Sequence, residues 1–234
     1  MGWWLMSSNR SFLTLRLEGP LQSWGFDSQF NRRNTGLMPT KSGIAGICCA
    51  ALGYGRGTCE EEEFLASFAN VLMTAIAIPR IIDKKGTRHE LAVRRITDYH
   101  TVQNTRRATG AINNDCVLTH RQYLADAAFG VILEGDAKLL ASMADALNDP
   151  VWGLWLGRKS CIPTAPIFAG VWHDKDAALQ VFHGTASLDS FTYQEDVARF
   201  VDGRDSIPDM PVSFASANRL FSPRRVNIHQ GRKS

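Results

Sequence analysis

An α+β fold is predicted by three features of the 234-residue chain. Apolar and polar residues alternate near its start, helical and extended periods then follow as β-α-β twice over, and a polar, basic stretch separates the two halves. That order fits a ferredoxin-like (RRM-like) core interrupted by one insertion. The aromatic signature with which an ordinary RRM stacks bases on its sheet is missing, so the sheet face is not read as a binding platform. With 44% apolar and 21% charged residues, the composition is that of a globular protein. One core carrying insertions, a single domain over 1–234, is the economical reading.

The first strand is Ser11-Phe-Leu-Thr-Leu-Arg-Leu, whose alternation has the period of a half-buried strand and stops at Glu18-Gly19-Pro20. Met1 to Asn9 is apolar but too short and too uncharged for a signal peptide, and is expected to fray ahead of that strand. In Leu21-Gln-Ser-Trp-Gly-Phe an indole and a carboxamide follow a glycine break. Either Trp24 stacks a base while Gln22 hydrogen-bonds it, or Trp24 is a core residue under a loop. After the basic loop Asn31-Arg-Arg-Asn, Thr40 or Ser42 caps a helix over Ile44 to Leu52, which Gly53-Tyr-Gly-Arg-Gly ends. Lys41 and the free amides at that helix start would suit a phosphate. Thr58 caps a second helix, where Glu60 to Glu63 favour the dipole and need no catalytic role.

Val71 to Ile82 and Leu91 to Ile96 are expected to pair as a hairpin about the turn Asp83-Lys-Lys-Gly-Thr. From Thr97 to Gln122 helical periodicity is lost for about 25 residues, which in a compact domain marks a functional loop or a protruding ribbon. Ala127 to Leu133 reads as a buried strand and Asp136 to Leu147 as an amphipathic helix. In Gly157-Arg158-Lys159-Ser160 a glycine beside two cations suits a phosphate approaching the backbone; a tight turn with exposed charges fits equally. Phe191 to Val201 and Met210 to Ile228 suggest further strands, and a basic tail closes the chain at about 229–234.

Net charge is only +3, but between Lys84 and Arg121 eight Lys or Arg stand against three acids. That local excess exceeds the excess of the whole chain. A basic segment on a near-neutral body is the footprint of a polyanion site, a solvated arginine-rich loop being the plainer alternative. The five cysteines are odd in number and lack a CxxC pair, which fits reduced thiols in the cytoplasm rather than a disulfide framework or a zinc clip. No apolar run approaches a membrane span. The six histidines include no HxH or HExxH, and GxSxG is absent, so neither a metal nor another cofactor nor a serine nucleophile is expected. Metal-free RNA cleavage needs a base, an acid and a cation, roles that Tyr99, His100, His120, Arg121 and Lys41 are chemically able to fill.

Six stretches together resemble one family. They are Leu17-Glu-Gly-Pro-Leu-Gln-Ser-Trp-Gly, Pro39-Thr-Lys-Ser-Gly-Ile-Ala-Gly, Thr97-Asp-Tyr-His-Thr-Val, Arg121-Gln-Tyr-Leu-Ala-Asp-Ala-Ala-Phe, Leu156-Gly-Arg-Lys-Ser-Cys and Phe214-Ala-Ser. In this order and spacing they look like the CasD family, the fifth Cas family, in its type I-E Cascade form. The resemblance runs from about Ser11 to Ile228. It implies a RAMP-type, ferredoxin-like palm with an inserted β-hairpin thumb at about 97–122. It also implies a subunit that caps the 5′ handle of the CRISPR guide RNA beside the first backbone subunit and the large subunit, which inspects target DNA. Carried over, the palm would bind RNA through Gln22, Trp24, Lys41, Ser42 and Gly157, Arg158, Lys159 and Ser160. The thumb would do so through His100, Thr101, Arg106, Arg107 and Arg121. Some relatives in type I-C systems cut the repeat RNA themselves, but type I-E systems carry a separate processing nuclease, so a binding role is expected here. A constant handle can be read by base contacts from a fixed pocket, whereas a variable spacer can be held only by backbone and shape.

Overall fold

The structure, a computed structural model, describes residues 10–25, 27–28, 31–107, 109–113 and 115–231, except for the side chain of Arg88. The expected N-terminal extension and the last three residues of the basic tail lie outside the described residues. In chain order the elements are β1 (Arg10–Glu18), β2 (Leu21–Gln22), β3 (Arg32–Arg33), α1 (Lys41–Leu52), α2 (Cys59–Phe68), β4 (Leu72–Ala77), β5 (Arg80–Lys84), β6 (Thr87–Leu91), β7 (Arg94–Val102) and β8 (Val117–Ala125). They continue with β9 (Ala128–Asp136), α3 (Ala137–Asn148), β10 (Phe168–Trp172), α4 (Lys175–His183), β11 (Tyr193–Asp196), β12 (Asp205–Ser213) and β13 (Leu220–His229).

Seven strands form a large antiparallel sheet in the order β10-β1-β9-β4-β11-β13-β12. Alternation along its central strands builds two cores. Leu13, Leu15 and Leu17 of β1 and Phe129, Val131 and Leu133 of β9 join α1, α2 and α3 in the main core on one face. Ile76 and Ile132 meet Ala178, Leu179 and Phe182 of α4 on the other. Gly130 makes that second face possible, because a Cβ there would stand 2.4 Å from the Phe182 ring. The expected caps are present: Thr40 Oγ1 accepts from the Gly43 amide, Thr58 Oγ1 from the Glu61 amide, and Gly53 ends α1 at φ +76°.

Between β4 and β9 the chain leaves the sheet. Val71 to Ile82 is not one strand: Pro79, which has no amide to donate, separates β4 in the main sheet from β5. The true hairpin partner of β5 is β6, from Lys84↔Thr87 to Arg80↔Leu91, instead of the segment Leu91 to Ile96. The segment Thr97 to Gln122 contains most of a second ribbon, in which β7 and β8 pair in register from Arg94↔Ala125 to Val102↔Val117. Short β2 and β3 pair with β8 and fasten the ribbon's base to the body. Among the elements with no counterpart in the sequence reading are β10 and the nine-residue α4, which Asp174 caps by accepting from the Ala177 amide. The span Phe191 to Val201 holds only the four residues of β11, and Met210 to Ile228 divides between β12 and β13. Among the described residues no helix is long and apolar enough to cross a membrane.

Candidate nucleic-acid interface

The β7–β8 ribbon projects from the body and enters the main core only at its base, through Tyr123 and Leu124 of β8. All of β7 up to Thr101 is exposed, including Ile96 and Tyr99, the latter at 60%. His100, Thr101, Arg106 and Arg107 are therefore surface groups. At the tip, Arg106 bridges to Ile112 through the backbone and its guanidinium reaches the Gly110 carbonyl, 3.4 Å away. Arg107 donates to Asn113 Oδ1 at 3.1 Å. At the base, Arg121 donates to Thr119 Oγ1 at 3.2 Å and lies in register with Arg33 of β3. Asn31, Arg33, Thr119 and Arg121 line a groove of about 430 Å³ together with Val102, Thr105 and Val117. Among the described residues, neither Arg33, Arg106, Arg107 nor Arg121 has a carboxylate partner, whereas Arg94 and Arg80 share Asp126.

Three expected contacts are interior groups instead. Trp24 is 1% exposed and donates its indole N–H to Gln22 Oε1. Gln22, fully buried, donates in turn to the carbonyls of Leu17 and Ala127. This closed relay satisfies a carboxamide and an indole inside the protein, so neither faces a base. Lys41 is also buried: its Nζ meets Asp196 Oδ2 at 2.8 Å and the Val71 carbonyl. Burial pulls its pKa below the usual lysine value, against the opposing pull of Asp196. The amide at the start of α1 does meet an anion, but that anion is Asp209, whose Oδ2 accepts from Lys41 N at 2.9 Å. Asp209 and Asp196 are both held by Arg224. Ser42, half-buried, points its hydroxyl back to Thr40 Oγ1.

The Gly157 loop is also turned toward the protein. Gly157 adopts φ +101°, and a Cβ there would lie 1.9 Å from the Ser23 carbonyl oxygen. The close approach that glycine permits is thus to Ser23. Arg158 donates to the carbonyls of Gln122, at 3.0 Å, and Arg33, at 2.8 Å, and lies 4.6 Å over the Tyr123 ring. It pins the loop to the ribbon's base. Lys159 and Ser160 stay exposed, with Lys159 above Trp155.

The family model described as "CRISPR-associated protein (Cas_Cas5)" matches residues 12–227. The chain belongs to the Cas5 family of CRISPR-associated proteins. It is 32% identical over 173 residues to the "CRISPR system Cascade subunit CasD" of Escherichia coli (strain K12), covering 71% of this chain and 74% of that one. Its fold is similar to a chain of a solved "CRISPR RNA-guided surveillance complex", with TM-score 0.67 and 27% identity over 93% of this chain and 88% of the other. A second solved structure, "Crystal structure of Cas protein", matches with TM-score 0.63 and 28% identity over 93% of each chain.

In this Cas5 chain the two ribbon histidines are on opposite faces. Asp98 and Tyr99 are adjacent in β7, so their side chains diverge. His100 Nδ1 lies 3.9 Å from Asp98 Oδ2, while the His120 ring meets Tyr99 edge-on with centroids 5.3 Å apart. The ribbon does fold near Gly110, yet its register places His100 opposite Thr119 and His120 opposite Tyr99. Among the described residues no group of three or more His, Cys, Asp or Glu is arranged to hold a metal. The sequence reading passed over Arg219, which precedes β13 with its guanidinium over the rings of Phe214 and Phe221. The signal available was the spacing Phe214-x₄-Arg-Leu-Phe221, two aromatics flanking one arginine.

Proposed function

We propose that this Cas5-family protein is a non-catalytic CRISPR RNA-binding subunit of a type I-E Cascade-like surveillance complex, capping the 5′ handle of the guide RNA in antiviral defence in the cytoplasm. The observation that carries the reading is the exposed ribbon, whose Arg95, Arg106, Arg107 and Arg121 meet no acid among the described residues, on a chain similar to a Cascade subunit. The strand order β10-β1-β9-β4, with helices crossing between β1 and β4 and between β9 and β10, supports a ferredoxin-like palm. The β7–β8 ribbon is then the inserted thumb. His100, Thr101, Arg106, Arg107 and Arg121 of the ribbon and Lys159 and Ser160 of the loop are the surface groups proposed to touch RNA. Gln22, Trp24, Lys41 and Gly157 hold the loops beneath them. The proposed protein partners are the backbone subunit and the large subunit, through which target DNA is met only indirectly.

The divergence of His100 and His120 supports binding over cleavage, because an acid and a base must flank one phosphate. Purified protein incubated with repeat RNA and EDTA near neutral pH, where a histidine pair is most active, tests this. Binding that depends on the handle sequence, without cutting, is expected. Single-turnover cutting at one site, lost in both His100→Ala and His120→Ala, would overturn the reading in favour of a processing nuclease.

A further inference from the structure

Beyond the ribbon, a second group of arginines lacks internal partners. Arg33 on β3 shares the groove with Arg121. Arg219 lies over the neighbouring rings of Phe214, 5.8 Å from its guanidinium, and Phe221, 5.2 Å away. Arg56 sits on the loop after α1, and that loop rests on the Arg219 loop: a Cβ at Gly57 would stand 3.0 Å from Ala215 Cβ. Partial burial, with the charges of Arg56 and Arg33, pulls the Arg219 pKa below the usual arginine value. Among the described residues, none of the three guanidiniums meets a carboxylate, although the chain pairs other arginines with acids. Like charges gathered around a guanidinium packed over two rings raise the free energy of the empty site, and an anion relieves that repulsion.

We propose that Arg33, Arg56 and Arg219, continuing from Arg121, form a phosphate track that carries an RNA backbone from the ribbon's base across the body toward the α1–α2 loop. The ligand feature is the phosphodiester alone. Arginine recognises phosphate by paired donors, which grip the backbone whatever the base. The track therefore holds RNA of any sequence, in contrast to the handle recognition assigned above. That RNA is the polyanion rests on the proposed function.

The test is fluorescence anisotropy of the full-length protein across a series of KCl concentrations, with two probes: repeat-handle RNA and a scrambled RNA of equal length. Arg56→Gln with Arg219→Gln is expected to flatten the slope of log K against log [KCl] by about 1.4, two contacts at about 0.7 each for single strands. The change should be equal on both probes, so the handle preference is kept. Arg56→Gln alone, at an exposed loop position that leaves the core intact, is expected to remove about half of that. Arg219→Lys, which keeps the charge, is expected to hold the slope. An unchanged slope on both probes would overturn the track, and a variant that then fails to join the other subunits would assign the cluster to an acidic protein surface. A loss confined to the handle RNA would also overturn it, by making these arginines base readers. A wild-type protein without handle preference would sink the proposed function, while the slope on scrambled RNA would still decide the track. No binding to either probe would overturn both.

Discussion

Behind the start of α1, Lys41 and Arg224 are sealed from water with Asp196 and Asp209, every one of these side chains at most 4% exposed. Along the β7–β8 ribbon, Arg95, Arg106 and Arg107 stand in water with no ion pair among the described residues. The same kinds of cation are used in opposite ways. In the interior, two positive and two negative groups balance, and their remaining valences are met by the Lys41 and Met73 amides and the Val71 carbonyl. Removing four charges from water is tolerable only because every one is paired and hydrogen-bonded. Of the ribbon's arginines only Arg94 meets an acid among the described residues, Asp126, so water solvates the others and their charge remains available to an external anion. Unbalanced charge, more than charge itself, marks the binding face.

The sharpest way to break this contrast is to unbalance the interior. Asp196 accepts from Lys41, Arg224 and the Met73 amide together, and so ties α1 to β4 and β13. Asp196→Asn leaves two buried cations sharing one carboxylate. Urea denaturation is expected to show a loss of about 3–5 kcal/mol, the range for breaking a buried pair. A loss below 1 kcal/mol would mean that water reaches the network and that its balance is not what holds α1.

Arg158 stands between the two regimes, half-buried and bonded to carbonyls in place of acids. Its planar fork bridges Gln122 and Arg33 while its face covers Tyr123, a geometry that an ammonium cannot reproduce. Arg158→Lys is expected to destabilise by about 1.5–3 kcal/mol, the range for hydrogen bonds to a charged group. Amide exchange should accelerate at Gln122 to Leu124, where the ribbon joins the body. Protection equal to wild type in the lysine variant would show that a point charge suffices there.

What the sequence disclosed follows the same division. Strands and helices that face a core carry a period: β1 alternates because Leu13, Leu15 and Leu17 face one core, and α1 and α2 have hydroxyl caps that can be read directly. The ribbon carried little period because β7 is exposed on both faces and β8 meets the core only at its base, through Tyr123 and Leu124, so little constrains alternate residues to be apolar. Its charge excess identified it, while its strand limits, Arg94 and Ala125, did not. The site residues divided by burial, which a single sequence does not encode. Gln22, Trp24 and Lys41 are chemically capable of holding RNA, yet their partners, Ala127 and Asp196, lie 105 and 155 residues away. Arg219 had only a local signal, its two flanking phenylalanines, while its charged neighbours Arg33, on β3, and Arg56, on the loop after α1, come from distant segments.

The smallest expected effect on stability belongs to the ribbon tip, and it sharpens the comparison most. Among the described residues the side chains of Arg106 and Arg107 bond only to Gly110 and Asn113 of their own loop, so neither core depends on them. Arg106→Ala with Arg107→Ala should leave folding stability within about 0.5 kcal/mol of wild type, as for surface positions without special contacts. The same pair should weaken RNA binding and flatten its salt dependence by about 1.4, two phosphate contacts at about 0.7 each. Stability and binding thus separate: the Asp196 variant loses the first, and the tip variant loses the second. If the tip variant keeps the wild-type salt slope, these arginines face solvent or a protein neighbour, and the unbalanced charge that acts on RNA is confined to the ribbon's base, where Arg121 meets Arg33.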